Sequence, residues 1–291
     1  MPRTLDRAPL PFLKWAGGKR WLIQNYQHLL PTEFEVYREP FVGGGAVFFA
    51  LQPKKAVLSD ANERLIECYS QVRDAPEQLL KLMKAHQRAH DQDYYYAVRS
   101  KHCRSAAGRA AQFLYLNRTC WNGLYRVNLD GVFNVPKGTK DTVVFPNETF
   151  APHSRSLRGA RTLSCDFEDA INDAREGDFL YVDPPYTVKH NFNGFAKYNE
   201  NIFSWDDQIR LRHALDRAAV RGVKIALSNA DHESVVELFG DLGHVHKVSR
   251  TSLIASESRR RCSVTEIIVT VNYKIGAAVS FRAGKEDALS I

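Results

Sequence analysis

Short apolar runs alternate with amphipathic segments near both ends of the chain. Each run is bounded by turn residues and has the length of a strand buried in a parallel sheet. The runs cover residues 35–42, 55–60, 162–165, 179–182, 223–227 and 264–273. Apolar positions with helical spacing predict helices over 62–72 and 205–219. Strands and helices in alternation predict an α/β fold with a doubly wound, mostly parallel sheet.

The middle of the chain breaks this alternation. Residues 76–117 have the pattern of successive helices rich in Arg, Lys and Gln, and residues 124–136 alternate like a β-hairpin that turns at Asp130-Gly131. We therefore predict a mainly helical domain inserted into a discontinuous α/β domain. The predicted divisions are 1–75 with 150–275 for the α/β domain, 76–149 for the insert and 276–291 for a tail.

Composition and charge narrow the function classes. The 291 residues are 44% hydrophobic and 25% charged, which is typical of a globular chain, and no apolar run approaches the ~20 residues of a membrane span. The net charge is +7, and residues 81–126 alone contain nine Lys and Arg against two Asp. A solvated helical face is one explanation of that segment. We favour contact with a nucleic acid, because a polyanion binds concentrated positive charge.

The cysteines and the N-terminus indicate a compartment. Residues 1–9 lack the apolar region of a secretory signal. The five cysteines lack the close spacing of a zinc site or a redox pair; they are Cys68, Cys103, Cys120, Cys165 and Cys262. These features predict reduced thiols in a cytoplasmic protein that binds no metal.

A glycine turn follows the first predicted strand. Residues 41–46 read Phe-Val-Gly-Gly-Gly-Ala, but Phe48 stands where a dinucleotide fingerprint needs glycine, and no phosphate-binding P-loop is present. Such a turn suits a nucleoside without phosphates, although a purely structural turn explains it equally well. Asp60 ends the next predicted strand, where a carboxylate either binds ribose hydroxyls or caps the following helix.

The third candidate element is Asp183-Pro184-Pro185-Tyr186, directly after an apolar strand. The prolines fix the backbone and leave carbonyls without competing N–H groups. A carboxylate beside a carbonyl accepts both hydrogens of one amino group, and the tyrosine ring stacks on a flat base. The tetrapeptide therefore suits an exocyclic amine such as adenine N6; a stiff turn that ends the strand is the alternative.

Five ordered motifs resemble the Dam-type (D12 class) DNA adenine-N6 methyltransferase family. They lie at residues 12–19, 39–48, 60–62, 113–136 and 183–186. The resemblance spans about residues 11–273 and implies a seven-stranded, Rossmann-like methyltransferase sheet with an antiparallel last strand. It also implies S-adenosylmethionine as methyl donor, S-adenosylhomocysteine as product, and a set of donor-binding residues. These are Trp15, Lys19, Pro40, Phe41, Gly43, Gly45, Asp60, Asp166, Phe167 and Asp183.

The catalytic residues that the resemblance implies are Asp183, Pro184, Pro185 and Tyr186. The target adenine must be flipped out of the duplex before its amine is reached. We expect Asp183 and the Pro184 carbonyl to accept the two amine hydrogens, and Tyr186 to stack on the base. We expect three aromatic residues of the following loop either to close over the base or to anchor the loop; they are Phe192, Phe195 and Tyr198.

Double-stranded DNA is the implied partner. Relatives place an intercalating aromatic residue where this chain has Trp121, and Asn122 and Arg126 are candidates for base edges, with phosphate contact an equal alternative for Arg126. The further DNA candidates are Arg118, Leu124, Asn128, Asn134, Lys140 and the run Arg259, Arg260 and Arg261, which reads either as a phosphate clamp or as a solvated loop. Thr139 departs from the family pattern for GATC; a GATC-like site is nevertheless expected.

Three other functions compete with this interpretation. An RNA adenine methyltransferase typically has Asn before Pro-Pro and lacks the 113–136 block, and a zinc deaminase needs a Pro-Cys-x-x-Cys pattern that is missing. A DNA-binding protein with a degenerate donor pocket would not need Lys19 and Asp183. The expected setting is the cytoplasm of a bacterial or phage-infected cell, at the nucleoid, with no membrane and no obligatory protein partner.

Overall fold

A single seven-stranded sheet organises the chain, whose computed structural model describes residues 8–128, 131–189, 203–251 and 263–276. Its strands are β1 Tyr37–Glu39, β2 Ala56–Asp60, β3 Ala160–Ser164, β4 Phe179–Val182, β5 Lys224–Ala230, β6 His244–Thr251 and β7 Ser263–Val271. The spatial order is β3-β2-β1-β4-β5-β7-β6. Strands β1 to β5 are parallel, and β7 runs antiparallel to both β5 and β6. The predicted sheet and its antiparallel last strand are confirmed.

The order of the strands reverses beside β1. Strand β1 pairs with β2 on one side and with β4 on the other, although β4 lies far along the chain. In an open parallel sheet, ligands bind outside the carboxyl ends of the strands at such a reversal. Glu39, Asp60 and Asp183 stand at or directly after the ends of these three strands, so the topology brings three carboxylates to one edge.

Ten α-helices accompany the strands in the described residues. They are α1 Arg20–Tyr26, α2 Ala46–Leu51, α3 Glu63–Asp74, α4 Pro76–Ala89, α5 Gln92–Ser100, α6 Ala106–Thr119, α7 Ala151–Leu157, α8 Phe167–Asn172, α9 Trp205–Val220 and α10 Glu233–Phe239. Local chemistry sets several of their starts: the Asn62 side chain accepts from Leu65 N, and Ser204 forms a capping box with Asp207. No helix among these is long and apolar enough to cross a membrane.

The two faces of the sheet bury separate apolar clusters. Along β4, Leu180 and Val182 belong to the cluster that α9 covers, whereas Phe179 and Tyr181 belong to the larger cluster on the opposite face. This alternation follows from the two-residue period of a strand. Both faces being covered explains why the parallel strands read as continuous apolar runs in the sequence.

The predicted insert is helical, as α4, α5 and α6 show, but these helices share a core with the sheet. Leu79, Met83, Tyr95 and Tyr115 join the same apolar cluster as Tyr37 on β1. Arg109 on α6 also forms a salt bridge with Glu67 on α3, in which Arg109 Nε lies 2.9 Å from Glu67 Oε2. The helical segment therefore packs on the seven-stranded sheet, and its status as a separate domain over 76–149 stays a prediction.

The predicted hairpin is less regular than its alternating pattern suggests. In the described part of 124–136, a single isolated bridge joins Val127 to Phe133, and Cys120 pairs with Lys137 outside the pattern. The turn is closed by Asn128, whose N–H donates to the Val132 carbonyl at 2.9 Å. Aromatic packing replaces a longer ladder, because Tyr125 lies 5.5 Å from Phe133 between ring centroids. Leu129 and Asp130 lie outside the described residues.

Candidate active site at the carboxyl ends of the central strands

Trp15 packs directly on the glycine turn. A Cβ added to Gly43 would lie 2.6 Å from the Trp15 Cδ1 atom, and Gly43 has a φ of +44°. Both the space and the backbone conformation therefore require glycine. The Trp15 indole stacks on Tyr125 with ring centroids 5.8 Å apart and an interplanar angle of 17°. One side chain thus joins the turn after β1 to the segment that carries the predicted DNA residues.

Asp60, at the end of β2, is hydrogen-bonded to the glycine turn that follows β1. Its Oδ2 accepts a hydrogen bond from Gly43 N at 3.2 Å, and its Oδ1 accepts one from Asn62 N at 3.0 Å. The cap of α3 is Asn62, so Asp60 does not serve as the helix cap. Burial raises the pKa of the Asp60 carboxyl to about 6, even though both backbone bonds favour the charged form.

Glu39 is a site residue that the sequence reading left unassigned. It lies at the end of β1, is 3% exposed, and accepts a hydrogen bond from the Tyr37 hydroxyl at 2.8 Å. Burial raises the pKa of Glu39 well above its usual range, and the nearby Asp183 and Asp60 carboxylates add to that effect. Its position directly before Pro40 in the 39–48 motif is the signal that identifies it.

Asp183 forms an ion pair with Lys19. The Lys19 Nζ lies 3.0 Å from Asp183 Oδ1 and 3.4 Å from Glu266 Oε2, and it also donates to the Gly17 carbonyl at 2.9 Å. The Asp183 side chain is 18% exposed, whereas those of Lys19 and Glu266 are 4% and 3% exposed. Burial raises the pKa of Asp183 to about 6, against the opposing effect of the Lys19 ammonium. Asp183 is therefore more exposed than Lys19 and Glu266, the two groups with which it forms a charged cluster.

Tyr186 is fixed at its hydroxyl end. The hydroxyl donates to Glu266 Oε2 at 2.6 Å and lies 2.8 Å from Ser228 Oγ, while the Lys19 ammonium sits 4.8 Å from the ring centroid. Pro184 is buried, and Pro185 accepts a hydrogen bond at its carbonyl from Gln208 Nε2 at 3.4 Å. The tetrapeptide is thus held from β5, β7 and α9, which gives it a defined orientation.

Two more of the residues predicted to bind the methyl donor, Asp166 and Phe167, lie at the start of α8. Phe167 stacks on Phe41 with ring centroids 5.4 Å apart, and the Arg210 guanidinium lies 4.8 Å from the Phe167 centroid. Asp166 caps α8 by accepting from Glu168 N at 2.8 Å, and it also pairs with Arg210 at 3.0 Å. The structure brings Phe41 and Phe167 together, while Gly45 allows the turn at a φ of +64° close to the Tyr69 hydroxyl.

Arg118 is corrected from a DNA contact to a structural residue. It is 3% exposed, and its guanidinium forms a salt bridge with Glu148 at 2.6 Å. It also donates to the Val143 carbonyl at 2.7 Å and to the Phe12 carbonyl at 3.3 Å. A buried guanidinium whose two terminal nitrogens are bonded to protein oxygens does not reach a phosphate on the surface.

The other predicted DNA residues that the structure describes lie at or near the surface. Trp121 is 53% exposed, at the start of a short 3₁₀ turn, Trp121–Gly123, in which Asn122 has a φ of 55°. Arg126 donates through Nε to Asn134 Oδ1 at 3.1 Å. Leu124 is half-buried, and the exposed members of the set are Asn122, Asn128, Asn134 and Lys140, next to the exposed Thr139.

Two groups of predicted residues lie in segments that the structure does not describe. Arg259, Arg260 and Arg261 lie outside the described ranges, as do the loop aromatics Phe192, Phe195 and Tyr198. Within those ranges, no group of three or more His, Cys, Asp or Glu side chains is arranged to hold a metal ion.

Comparison with known proteins identifies the family. The family described as D12 class N6 adenine-specific DNA methyltransferase matches residues 15–254. The type II methyltransferase M1.LlaDCHI of Lactococcus lactis subsp. cremoris is 41% identical over 272 residues, covering 90% of this chain and 95% of that protein. The type II methyltransferase M.MjaIII of Methanocaldococcus jannaschii is 35% identical, covering 90% and 99%. The DNA adenine methylase of Serratia marcescens is 33% identical, covering 88% and 96%. The chain belongs to the D12 class of N6 adenine-specific DNA methyltransferases.

Proposed function

We propose that this protein transfers a methyl group from S-adenosylmethionine to N6 of an adenine that is flipped out of double-stranded DNA. The observation that carries the proposal is the placement of Asp183. Its partly exposed carboxylate lies at the end of β4, at the strand-order reversal where β1 and β2 contribute Glu39 and Asp60. Such an edge accommodates a nucleoside donor and an amine acceptor side by side.

The residues of the glycine turn fit the proposed donor. The Trp15 indole fills the space beside Gly43 where a side chain would stand, and Phe41 and Phe167 offer flat apolar rings near the same turn. Asp60 would hold the ribose hydroxyls, and Asp166 and Phe167 would hold the donor's adenine. The Asp183 carboxylate provides negative charge toward a cationic donor. S-adenosylmethionine, when bound, supplies a methyl group on a positively charged sulfur, which the amine nitrogen takes in one displacement that leaves a neutral thioether.

Asp183 and Pro184 prepare the amine for that displacement. The amine of adenine is a poor nucleophile because its lone pair is delocalised into the ring. The Asp183 carboxylate accepts one N–H and the Pro184 carbonyl accepts the other, which favours a pyramidal nitrogen and localises the lone pair. The carboxylate then takes the proton that the nitrogen loses after methylation. Positioning and preorganised charge supply the acceleration.

Tyr186 holds the flipped base by stacking. Its hydroxyl is already engaged with Glu266 and Ser228, so the position of the ring is fixed before a base arrives. A platform that needs no reordering lowers the entropic cost of binding an extruded base.

DNA lies, in this proposal, across the surface formed by Trp121, Asn122, Arg126, Asn134 and Lys140. Trp121 fills the space that the flipped base leaves, and Arg126 and Asn122 reach base edges or phosphates. The recognition site is proposed to be GATC-like. Thr139 in place of arginine removes one bidentate guanine contact, and Lys140 lacks the planar fork that would replace it. Since the proposed substrate is DNA, the expected setting of this activity is the cytoplasm, at the nucleoid of a bacterial or phage-infected cell.

The decisive experiment is methylation with isotope-labelled donor. Matched duplexes that contain or lack adenine, and an RNA duplex of the same sequence, are incubated with the protein, and the modified nucleoside is identified by mass spectrometry. The proposal expects N6-methyladenine in adenine-containing DNA alone. Labelling of the RNA in preference to DNA, or of another base, would contradict it. Methylation of genomic DNA that lacks adenine marks, followed by modification-sensitive sequencing, gives the recognition site.

A further inference from the structure

Glu266 on β7 is a buried carboxylate to which neither the donor site nor the catalytic tetrapeptide assigns a role. Its side chain is 3% exposed and lies beside one hydroxyl donor and two cationic groups. The Tyr186 hydroxyl lies 2.6 Å from Oε2, the Lys19 ammonium 3.4 Å from the same oxygen, and Arg250 Nε 3.3 Å from Oε1. The strand fixes its place, because Glu266 is in register with Ala230 on β5 and with Val248 on β6.

Lys19 occupies the carboxylate that the target amine needs, and Glu266 offers Lys19 a second carboxylate. Its ammonium lies 3.0 Å from Asp183 Oδ1, on the carboxylate that must accept a hydrogen of the target amine under the proposed function. The ammonium is buried, and a buried charge that loses its partner is costly. Asp183 is released for the amine at low cost only if Lys19 keeps a second carboxylate.

We propose that Glu266 is a positioning residue, which keeps the Lys19 ammonium paired while Asp183 accepts the hydrogen bond of the target amine. Lys19 needs no displacement for this, since it already lies between the two carboxylates. The same glutamate accepts the hydrogen bond of the Tyr186 hydroxyl. One side chain therefore positions both the Lys19 ammonium and the ring on which the base stacks. The inference rests on the proposed function of Asp183 and adds Glu266 to that machinery.

The charged and titratable groups around Asp183 set the direction of the test. They are Lys19 before α1, Glu39 on β1, Tyr181 on β4, Tyr186, Arg250 on β6 and Glu266 on β7. Glu266 raises the pKa of Asp183 and Lys19 lowers it. Removing the Glu266 charge removes its repulsion of the Asp183 carboxylate, and it leaves the Lys19 ammonium paired with Asp183 alone. Both changes lower the pKa of Asp183.

The test is Glu266→Gln, with Glu237→Gln on the exposed face of α10 as the matched control. We expect kcat to fall about 10- to 100-fold, as for the loss of a group that orients a catalytic ligand, with the KM for donor and for DNA little changed. We also expect the acidic limb of the pH profile to move to lower pH. The Asp183 carboxyl, followed by NMR of ¹³C-labelled aspartate and assigned with Asp183→Asn, should titrate at lower pH than in the unmodified protein.

A double-mutant cycle separates this role from a general effect on folding. In a Lys19→Met background there is no ammonium to hold, and the glutamine side chain still accepts from the Tyr186 hydroxyl, so adding Glu266→Gln should change kcat by less than about threefold. Glu266→Asp retains the charge at a shorter reach and should give a smaller change in the same direction, which is assayable if the glutamine variant is unstable. Unchanged kcat and acidic limb in both Glu266 variants would overturn the inference. A full loss in the Lys19→Met background would also overturn it. Absence of adenine methylation by the unmodified protein would instead reject the proposed function.

Discussion

The backbone N–H of Gly43 donates to the Asp60 carboxylate at 3.2 Å, which joins the turn after β1 to the end of β2. The same carboxylate accepts from Asn62 N, and the Gly43 carbonyl accepts from the Tyr69 hydroxyl at 3.0 Å. The proposed donor-binding turn is therefore fixed at both its N–H and its carbonyl. This rigidity makes the turn sensitive to substitution at Gly43.

Gly43→Ala is expected to be much more harmful than Gly131→Ala. Both glycines have positive φ, +44° and +73°, so alanine costs ~1–2 kcal/mol of backbone strain at either position. No atom of the described residues lies within 4 Å of a Cβ at Gly131, whereas a Cβ at Gly43 would meet Trp15 at 2.6 Å. We expect Gly43→Ala to lower the free energy of unfolding by about 1–3 kcal/mol more than Gly131→Ala in urea titrations. Equal costs would show that Trp15 does not pack on the turn.

Asp183→Ala is expected to abolish methyl transfer while leaving DNA binding largely intact. Loss of a preorganised charged acceptor costs about 10²- to 10³-fold or more in kcat. Single-turnover methylation measures the rate, and fluorescence anisotropy with labelled duplex measures binding. Asp206→Ala, at an exposed position in the first turn of α9, is the matched control. Turnover by Asp183→Ala close to that of the control would remove Asp183 from the catalytic centre.

Methylation should fall as the pH drops through about 6. Burial raises the pKa of Asp183 to about 6 from an ordinary value of 3.8, and only the carboxylate form accepts from the amine. The protonated form therefore predominates below pH 6, and kcat/KM for DNA rises with pH through that value. Asp60, whose pKa is also about 6, belongs to the proposed donor site, so the profile is measured at saturating donor. Asp60→Asn should retain the acidic limb; its disappearance in that variant would assign the limb to Asp60.

Trp121→Ala should impair methylation of paired adenine more than that of unpaired adenine. Its side chain is 53% exposed, and the proposed role is to fill the gap left by the flipped base. We expect kcat/KM to fall about tenfold or more on a fully paired duplex, and to fall less where the adenine faces an abasic site, because unpairing is then already complete. Val132→Ala, also at an exposed apolar side chain, is the control. Equal losses on both duplexes would argue against the wedge.

Arg38→Met should destabilise the fold strongly. The Arg38 Nε lies 2.5 Å from Asp178 Oδ2, and both side chains are at least 90% buried. Removing the cation leaves a buried carboxylate without its partner, at a cost of about 3–5 kcal/mol. Arg217→Met removes an exposed pair with Glu168 and should cost less than about 1 kcal/mol. Chemical unfolding of both variants checks the difference, and similar losses would show that the Arg38–Asp178 pair stabilises the fold no more than an exposed pair does.

Much of the α/β framework could be predicted from the sequence, because its signals are local. The apolar run at 179–182 coincides with β4, and the helical spacing at 205–219 matches α9 within one residue. Strand β6 could not be predicted in the same way. Its residues, His244–Thr251, are mostly polar, since an edge strand buries few of its side chains: Val248 is 2% exposed, but Val245 is 39% exposed.

The candidate site likewise has features that are local in the sequence and features that depend on distant segments. The sequence by itself determined the chemical types, because the carboxylate, the prolines and the tyrosine of 183–186 and the glycines of 43–45 are consecutive residues. Only the tertiary structure decided which charges meet. Lys19 lies between Asp183 and Glu266, and Arg118, a surface candidate by residue type, is buried against Glu148. A charge pattern does not specify its partners, because the energy of a pair depends on distance and burial, and both are set by chain segments far apart in sequence.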